Sequence, residues 1–427
     1  MKHQTPDHPR YPDFTFFRDF ADHPTFKAFE CLLGENGQSA SYQDLKTAYF
    51  TLKADVSAYA LSRPDDGRYA KALWHDFVLA RILADDNPLT RLFEKEQLSP
   101  SHPFYPSMLG DLRVLLSVYH FDWQTFLDEN PLDSQNIFEL NIFDHIKDEA
   151  LHKAFDQDDE TAACTALNAY VLRHGLGIFE SHQCFKIDDA TGALVPIPRR
   201  QYKPMTSLIG YDLQKNQLTD NTRAFVEHRA GLNALLKGDM GTGKSTMVKA
   251  LLDTFADTNL RMIEITKERI GALPTIISAI KDRPYAFIIF VDDLSFDDKE
   301  NDFKRFKNVL EGSLEDNTPN VRIYATSNKR HLVSESMSER TDAVHAKDVM
   351  EEKLSLSSRF GLVLSFTAPN QKEYLTIVRE MAKTAGITMR DDDLTREAIT
   401  WELRHLNRSG RTAEQFITHL IGCVETN

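Results

Sequence analysis

The chain has 427 residues, of which 41% are hydrophobic and 27% charged, a composition typical of a soluble globular protein with two or three domains. No apolar run approaches the length that crosses a bilayer, so a membrane-spanning protein is not expected. The polar N-terminus has no apolar signal stretch, and the four cysteines form no C-x-x-C pattern. Together these features indicate a cytoplasmic protein with neither a zinc site nor a disulfide framework.

The formal net charge of −14 is unevenly distributed along the chain. The first 200 residues contain about 19 Lys and Arg against about 31 Asp and Glu, so most of the negative charge lies there. Proteins that bind nucleic acid usually carry a basic face. We therefore expect residues 1–200 to contact a protein partner, and nucleic acid is not indicated as a ligand.

Residues 1–200 are predicted to form a mostly helical N-terminal domain that recognises this partner. Apolar residues recur every three or four positions in segments such as 69–83. Two short apolar runs separated by a turn sequence predict a β-hairpin over 184–195. Trp74 and Trp123 are expected in the core of this domain, where large aromatic side chains are usually found.

A domain boundary is predicted near residue 200, because the stretch 196–200 contains two prolines and two arginines and has the composition of a linker. From 201 to 367, strand and helix patterns alternate, which predicts an α/β core of three layers. Its five-stranded parallel sheet would carry helices on both faces. The last part, 368–427, is predicted to be a small helical lid. The five predicted strands are 232–236, 260–265, 287–291, 321–325 and 362–366.

A phosphate-binding loop follows the first of these strands. The segment fits the pattern G-x-x-x-x-G-K-[ST] and lies between a buried strand and an apolar helix. Its glycines let backbone N–H groups close around phosphates, Lys244 brings positive charge to the β- and γ-phosphates, and the Ser245 hydroxyl is placed to bind Mg²⁺. The predicted nucleotide-binding residues are Gly238, Asp239, Met240, Gly241, Thr242, Gly243, Lys244, Ser245 and Thr246.

Two adjacent carboxylates end the apolar strand 287–291. Asp292 is placed to hold Mg²⁺, directly or through water, opposite Ser245. Asp293 has its side chain turned elsewhere and could orient an attacking water. The alternative is a pair of aspartates in an ordinary turn, but the phosphate loop about fifty residues upstream favours the metal site.

Three further polar residues lie where they could act on the phosphates. Asn328 ends the strand 321–325 and could hydrogen-bond the γ-phosphate or the water; its alternative is an asparagine that caps a turn. Arg359 could reach the nucleotide of a neighbouring subunit, and its alternative is a solvated surface arginine. Arg411 precedes the last helix and could fold back on the phosphates, and its alternative is a helix-flanking charge.

The order of these motifs resembles that of the AAA+ ATPase superfamily. By this likeness the loop 238–245 is the Walker A motif, Asp292 the Walker B aspartate and Asn328 sensor 1. Arg359, in the sequence S-R-F-G, is similar to an arginine finger, and Arg411 to sensor 2. The resemblance implies ATP and Mg²⁺ as cofactors and a homo-oligomer.

A closer resemblance is to the bacterial AAA family called domain of unknown function 815. It rests on L-I-G-Y-D-L, G-D-M-G-T-G-K-S-T, F-V-D-D-L-S-F and Y-A-T-S-N-K-R-H-L, and it covers roughly residues 205–420. In the first motif, Ile209 and Gly210 are similar to the segment that lines the adenine pocket of AAA+ proteins. The resemblance implies ATP binding and supplies no cellular task.

One residue departs from the general AAA+ pattern, in which Walker B usually ends in Asp-Glu. This chain has Asp292-Asp293. Aspartate is one methylene shorter than glutamate, so hydrolysis is expected to be slow or to depend on a partner that closes the site.

The motif order favours a Mg²⁺-dependent ATPase that assembles into a ring or filament and remodels or loads a protein partner held by residues 1–200. In this hypothesis Asp293 and Asn328 position water, Arg359 acts on the next subunit, and Arg411 couples the nucleotide to the lid. The first alternative is an ATP-dependent binding switch that hydrolyses slowly, which the shortened Asp293 motivates. The second is a loader of a nucleic-acid enzyme, which would need a basic groove.

Overall fold

The computed structural model divides the chain into two compact units, Met1–Ser181 and His182–Asn427. Among the described residues, no helix is both long enough and apolar enough to cross a membrane. The described residues are 14–33, 41–62, 70–143, 146, 148–197, 203–294, 306, 310, 318–328, 359–405 and 407–424.

The first unit is mainly helical and contains one short antiparallel strand pair, β1 with β2. Several of its helices begin at polar caps; the Asp148 and Asp159 carboxylates, for example, accept hydrogen bonds from backbone N–H groups of the first turns that follow them. In chain order its elements are α1 Arg18–Asp22, α2 Pro24–Leu33, α3 Tyr42–Ser62, β1 Ala70–Ala72, α4 Leu73–Ala84, α5 Pro88–Phe93, α6 Tyr105–Tyr119, α7 Trp123–Glu129, β2 Asn141–Phe143, α8 Glu149–Asp156, α9 Glu160–His174 and α10 Ile178–Ser181.

Aromatic side chains form the centre of this unit, and both of its tryptophans are buried, as the sequence predicts. The Trp123 ring stacks on Phe138 at a centroid distance of 3.9 Å and meets Trp74 edge-on at 5.0 Å. The indole N–H of Trp74 donates to the Val118 carbonyl at 2.8 Å, so the polar end of this ring is satisfied inside the core.

The second unit is an α/β fold with a sheet dominated by parallel strands, which confirms the predicted fold class. The strand order is β4-β3-β6-β7-β8-β5-β9, and every neighbouring pair except β3 with β4 is parallel. The elements of this unit are β3 Cys184–Ile187, β4 Leu194–Pro196, a 3₁₀ turn Met205–Ser207, α11 Asp212–Val226, β5 Ala234–Gly238, α12 Lys244–Thr254, β6 Leu260–Ile265, a second 3₁₀ turn Lys267–Ala272, α13 Leu273–Ile280, β7 Ala286–Val291, β8 Val321–Ser327, β9 Leu362–Phe366, α14 Gln371–Thr384, α15 Asp391–His405 and α16 Gly410–Val424.

In the part of the chain that the structure describes, the sheet has seven strands, two more than the five predicted. All five predicted strands are present, as β5 to β9, and the predicted hairpin supplies the other two. β3 pairs with β6 in parallel, with Phe185 opposite Ile263. This pairing also places the hairpin in the second unit, so the division falls after Ser181 and not near residue 200. Composition alone points to the linker-like stretch 196–200, whereas the hydrogen bonds of β3 join the hairpin to the sheet.

The burial of the strands explains their sequence. All six residues of β7 are buried, as expected for a central strand with both faces covered. Helices α11 and α12 place Leu218, Phe225 and Leu251 in the same core as strands β5 to β8. Because parallel strands end at the same edge, the residues that follow β5, β7 and β8 are brought together there.

The three C-terminal helices α14, α15 and α16 form a small core of their own, which includes Tyr374, Leu394 and Phe416. Asn370 caps α14 in a capping box with Glu373, because each side chain bonds a backbone N–H of the other residue. The sequence also predicts a helix over 302–314, and almost all of that segment lies outside the described residues.

Candidate nucleotide-binding site

The phosphate loop has the backbone conformation that its glycines predict. Gly238, Gly241 and Gly243 have φ values of +138°, +78° and +89°. A side chain on Gly238 would collide with the carbonyl oxygen of Phe366 on the neighbouring strand β9. Both the backbone torsions of the loop and the lack of space for a side chain at Gly238 require glycine. The loop ends at Lys244, where α12 begins.

Gly238→Ala should lower the free energy of unfolding by about 3 kcal/mol or more, because it adds a backbone collision to a strained φ. Gly192→Ala is the matched control, since Gly192 also has a positive φ of +71° but nothing within 4 Å of an added methyl group. We expect it to lose only about 1 kcal/mol. Scanning calorimetry of the two full-length variants measures the difference, and equal unfolding temperatures would contradict this account of the loop.

Lys244 is folded onto the loop. Its ammonium group donates to the carbonyl oxygens of Gly238 at 3.0 Å and Asp239 at 2.7 Å, and the residue is only 5% exposed. Burial lowers the pKa of Lys244, and the nearby carboxylates of Asp239, Asp293 and Asp292 partly oppose that shift. An anion bound at the loop would offer this amine a stronger acceptor than the two carbonyls.

Ser245 and Asp292 meet although they are 47 positions apart in the chain. The Ser245 hydroxyl donates to Asp292 Oδ1 at 2.5 Å. Thr326 Oγ1 on β8 donates to the same oxygen, also at 2.5 Å. A hydroxyl and a carboxylate beside a phosphate loop are the oxygen ligands that Mg²⁺ prefers, so this pair fits the metal.

Asp293 and Asn328 are also in contact. The Asn328 amide Nδ2 donates to Asp293 Oδ1 at 2.8 Å. Asp293 has a positive φ of +52°, which is uncommon for a residue other than glycine. Two residues that the sequence assigns to water positioning thus form one hydrogen-bonded pair at the edge of the sheet.

The start of α16 lies against the tip of the phosphate loop. The Arg411 backbone N–H points to the Gly241 carbonyl at 3.4 Å, and a methyl group on Gly241 would come within 2.9 Å of Ser409 Cβ. Ser409 Oγ accepts from Thr412 N–H at 3.1 Å, so Ser409 acts as the cap of this helix. Arg411 is therefore brought to the loop, and its side chain is exposed there.

The segment Leu208–Tyr211 runs from the phosphate loop to the C-terminal helices. Leu208 packs against the sheet core, and its Cδ2 lies 3.0 Å from the position of a methyl group on Gly243. Ile209 packs against the core of the C-terminal helices. Gly210 and Tyr211 both have positive φ, +81° and +57°, which turns the chain into α11. Leu208 thus lies against the loop, and the base-binding role of Ile209 and Gly210 stays a prediction.

Asp239 ties the loop to the connection between β9 and α14. Its backbone N–H donates to the Phe366 carbonyl at 2.9 Å, and its Oδ2 accepts from the Ala368 N–H at 2.7 Å. Tyr211 holds the same connection, because its hydroxyl donates to the Thr367 carbonyl at 2.7 Å. Of the other predicted loop residues, Met240 is 61% exposed at the tip and Thr246 is half-buried in the first turn of α12.

Arg359 does not lie beside the phosphate loop. It precedes β9, whose first residue Leu362 pairs with Ala234 and whose last residue Phe366 pairs with Gly238. The phosphate loop lies at the carboxyl end of the strands, so about 13 Å of β9 separates it from the end where the exposed Arg359 lies. The fold therefore places this arginine away from the loop of its own chain.

Sequence reasoning missed Thr326, the side chain of Asp239 and Ser409. Thr326 stands two residues before Asn328 in A-T-S-N. Its contact with Asp292 depends on the register in which β8 pairs with β7. An alternation count from Asn328 places Thr326 on the same face of the strand, which is the one signal the sequence offers. The partners of Asp239 and Ser409 are distant in the chain and leave no local pattern.

A family model described as "Protein of unknown function (DUF815)" matches residues 180–424, which is more than half of the chain. Among solved structures, the chain is similar to the RuvB Holliday junction branch migration motor of Thermotoga maritima, with 15% identity, 51% of this chain and 72% of that chain covered, and a TM-score of 0.34. Two single-residue variants of that protein are similar at 14% identity, with TM-scores of 0.33 and 0.34; they cover 51% and 52% of this chain, and 72% and 74% of their own. No curated protein matches this chain.

Proposed function

This chain belongs to the DUF815 family of proteins of unknown function, and we propose that it is an AAA+ ATPase that binds ATP with Mg²⁺ and hydrolyses it to ADP and phosphate. The observation that carries the proposal is the convergence of Ser245 and Asp292, 2.5 Å apart, beside Lys244 at the start of α12. A glycine-rich loop supplies the backbone around them. A turn without a ligand would not need a lysine, a hydroxyl and a carboxylate at the same place.

The phosphates are held by the loop and by α12. Lys244 exchanges the carbonyls of Gly238 and Asp239 for phosphate oxygens, which removes the bonds that hold it in the ligand-free loop. Backbone N–H groups at the N-terminus of α12 point toward the same anion and add the favourable end of the helix dipole. Ile209 and Gly210 border the base.

The metal site uses the Ser245 hydroxyl and the Asp292 carboxylate. Mg²⁺, when bound, neutralises the charge that develops on the phosphates during transfer. Ser245 would hold the metal through its hydroxyl and Asp292 through its carboxylate, and the hydrogen bond from Thr326 would keep Asp292 in place. The chain thus contributes two oxygen ligands from different elements of the sheet edge.

Asp293 and Asn328 orient the attacking water. Asp293 takes up a proton of the water as its oxygen bonds to the terminal phosphorus and the bond from that phosphorus to the bridging oxygen breaks, which releases ADP. Asn328 holds this carboxylate in place through its amide at 2.8 Å. Arg411, next to Gly241, senses the phosphates from the lid side and couples them to the C-terminal helices.

Asp293→Asn should reduce hydrolysis about 100-fold and leave ATP affinity within a few-fold of the wild-type value, because a general base acts on the chemical step and makes no contact needed for binding. Phosphate release with Mg²⁺, compared with release in EDTA, measures hydrolysis, and a fluorescent ATP analogue measures affinity. Unchanged phosphate release in this variant would remove Asp293 from the mechanism.

A second function, a switch that holds ATP with little hydrolysis, is favoured by one observation. The short Asp293 side chain already accepts a hydrogen bond from the Asn328 amide, so this carboxylate is engaged by a neighbouring side chain. Turnover above about 1 per second would rule the switch out, because that rate is at the low end of ordinary enzymes.

The first unit is proposed to bind the protein that is remodelled or loaded. Its support is the concentration of acidic residues in the first 200 positions. The test cross-links full-length Asp293→Asn protein to its partners in ATP and in ADP and maps the cross-linked residues. Cross-links within 1–181 that appear only in ATP would support this role, and ATP-dependent cross-links confined to copies of the chain would contradict it.

A further inference from the structure

One residue, Thr326 on β8, contacts all three residues of the turn that follows β7. Thr326 Oγ1 donates to Asp292 Oδ1 at 2.5 Å and accepts from the Asp293 N–H at 3.0 Å. The carbonyl oxygen of Thr326 accepts from the Leu294 N–H at 2.7 Å. The turn that carries both carboxylates is therefore held from a single position.

These bonds account for the unusual backbone of Asp293. A left-handed conformation is disfavoured for an aspartate and persists only where the surroundings enforce it. The N–H of Asp293 and the N–H of the next residue, Leu294, are both fixed on Thr326. Thr326 thus holds the torsion that sends the Asp293 side chain toward Asn328.

The hydroxyl of Thr326 is suited to this task because it donates and accepts at the same time. Its proton goes to a carboxylate oxygen and its lone pair receives a backbone N–H. The residue is 2% exposed, so water has little access to replace either bond. A valine in its place would keep the shape of the side chain and remove both interactions.

Asp292 Oδ1 receives three hydrogen bonds, from Ser245, Thr326 and the Asp293 N–H at 3.2 Å. In the proposed function the Ser245 hydroxyl would bind the metal, and Thr326 is the side chain whose hydrogen bond would still hold Asp292. The same residue sets the direction of Asp293. The metal-binding carboxylate and the water-orienting carboxylate therefore depend on one hydroxyl.

We propose that Thr326 is a positioning residue that holds Asp292 for the metal and Asp293 for the water in one arrangement. The proposal rests on the proposed MgATP site. Groups that orient metal ligands typically change metal affinity or activity by 10- to 100-fold when they are removed. A hydroxyl that only filled its own hydrogen bonds in the core would change stability and leave the metal response as it was.

Three variants of the full-length chain separate these roles. Thr326→Val removes the hydroxyl and keeps the shape, while Thr326→Ser keeps the hydroxyl and loses a methyl group. Thr222→Val is the matched control: Thr222 is fully buried on α11, and its hydroxyl contacts the Leu218 carbonyl and the Tyr324 hydroxyl, which are not part of the site.

The first measurement uses ligand-free protein. Amide hydrogen exchange in the segment 292–294 should speed up at least 10-fold in Thr326→Val, because the Asp293 N–H loses the shorter of its two hydrogen bonds and keeps the one to Asp292 Oδ1 at 3.2 Å. The exchange rate should stay near the wild-type value in Thr326→Ser. The control Thr222→Val should leave this segment unchanged. Equal exchange in wild type and Thr326→Val would overturn the proposed hold on the turn.

The second measurement is the Mg²⁺ concentration that gives half-maximal tight binding of a fluorescent ATP analogue. We expect it to rise 10- to 100-fold in Thr326→Val, with affinity in EDTA unchanged, and to recover to within about threefold in Thr326→Ser. A wild-type Mg²⁺ response in Thr326→Val would overturn the positioning role of Thr326 and leave the proposed function untouched. A wild-type chain that binds the analogue under neither condition would sink the proposed function, and the inference with it.

Discussion

Lys244→Ala should weaken ATP binding about 100-fold or more and abolish hydrolysis at ordinary ATP concentrations. The ammonium group would form charge-assisted hydrogen bonds to two phosphates, each contributing about 1.5–3 kcal/mol. Among the described residues this group donates to the carbonyls of Gly238 and Asp239, both within the loop itself, so the fold should survive its loss. Isothermal titration with ATP and Mg²⁺ measures the affinity, and circular dichroism checks the fold.

Lys249→Ala is the matched control, because Lys249 lies on the same helix and pairs with Glu264 at 3.0 Å, away from the loop. It should keep ATP affinity within a few-fold. A second readout is pH. Lys244 binds phosphate in its charged form, and this form loses its proton as the pH rises through the pKa of the side chain. Because burial lowers the pKa of Lys244, ATP affinity should begin to fall at a lower pH than it would with an exposed lysine. Equal losses in the two variants would contradict a specific role for Lys244.

Arg359→Ala should reduce ATP turnover by about 10³-fold or more while ATP affinity stays near the wild-type value, because an arginine finger stabilises the transition state and not the bound substrate. The length of β9 separates Arg359 from the phosphate loop of its own chain, so it would act on a second copy. Wild-type turnover per subunit should therefore rise with protein concentration. Steady-state phosphate release over a dilution series measures this.

Mixing two inactive variants gives a sharper test of action between copies. Lys244→Ala has an intact Arg359 and does not hydrolyse ATP at ordinary ATP concentrations, while Arg359→Ala has an intact loop and lacks the finger. If the finger acts on a neighbour, the mixture should recover turnover that neither variant shows alone. A mixture as inactive as its parts, together with concentration-independent wild-type turnover, would show that Arg359 does not act between copies.

Much of the fold of the second unit was predictable because its signals are local. The five predicted strands are short apolar runs, and the central one is buried along its whole length as β7. The phosphate loop is a contiguous pattern, and its glycines have the positive φ values that the pattern needs. Asp292 and Asn328 could be placed because parallel strands end at one edge of the sheet.

What could not be predicted depends on partners that are distant in the chain. The sequence predicts the hairpin β3–β4. It does not predict the parallel pairing of β3 with β6, because composition does not encode which strands pair. The left-handed Asp293 follows from bonds to Thr326, which is 33 positions away. The hydrogen bond from the Ala368 N–H to the Asp239 carboxylate joins residues 129 positions apart.

The most direct test of MgATP hydrolysis at this site is a single-turnover experiment with the full-length chain in excess over ATP. Rapid quenching after mixing should show complete conversion of ATP to ADP and phosphate in Mg²⁺ and none in EDTA, and the conversion should disappear in Lys244→Ala. ATP that remains intact in the presence of Mg²⁺ and a folded wild-type chain, over many minutes and at several protein concentrations, would contradict the proposed ATPase.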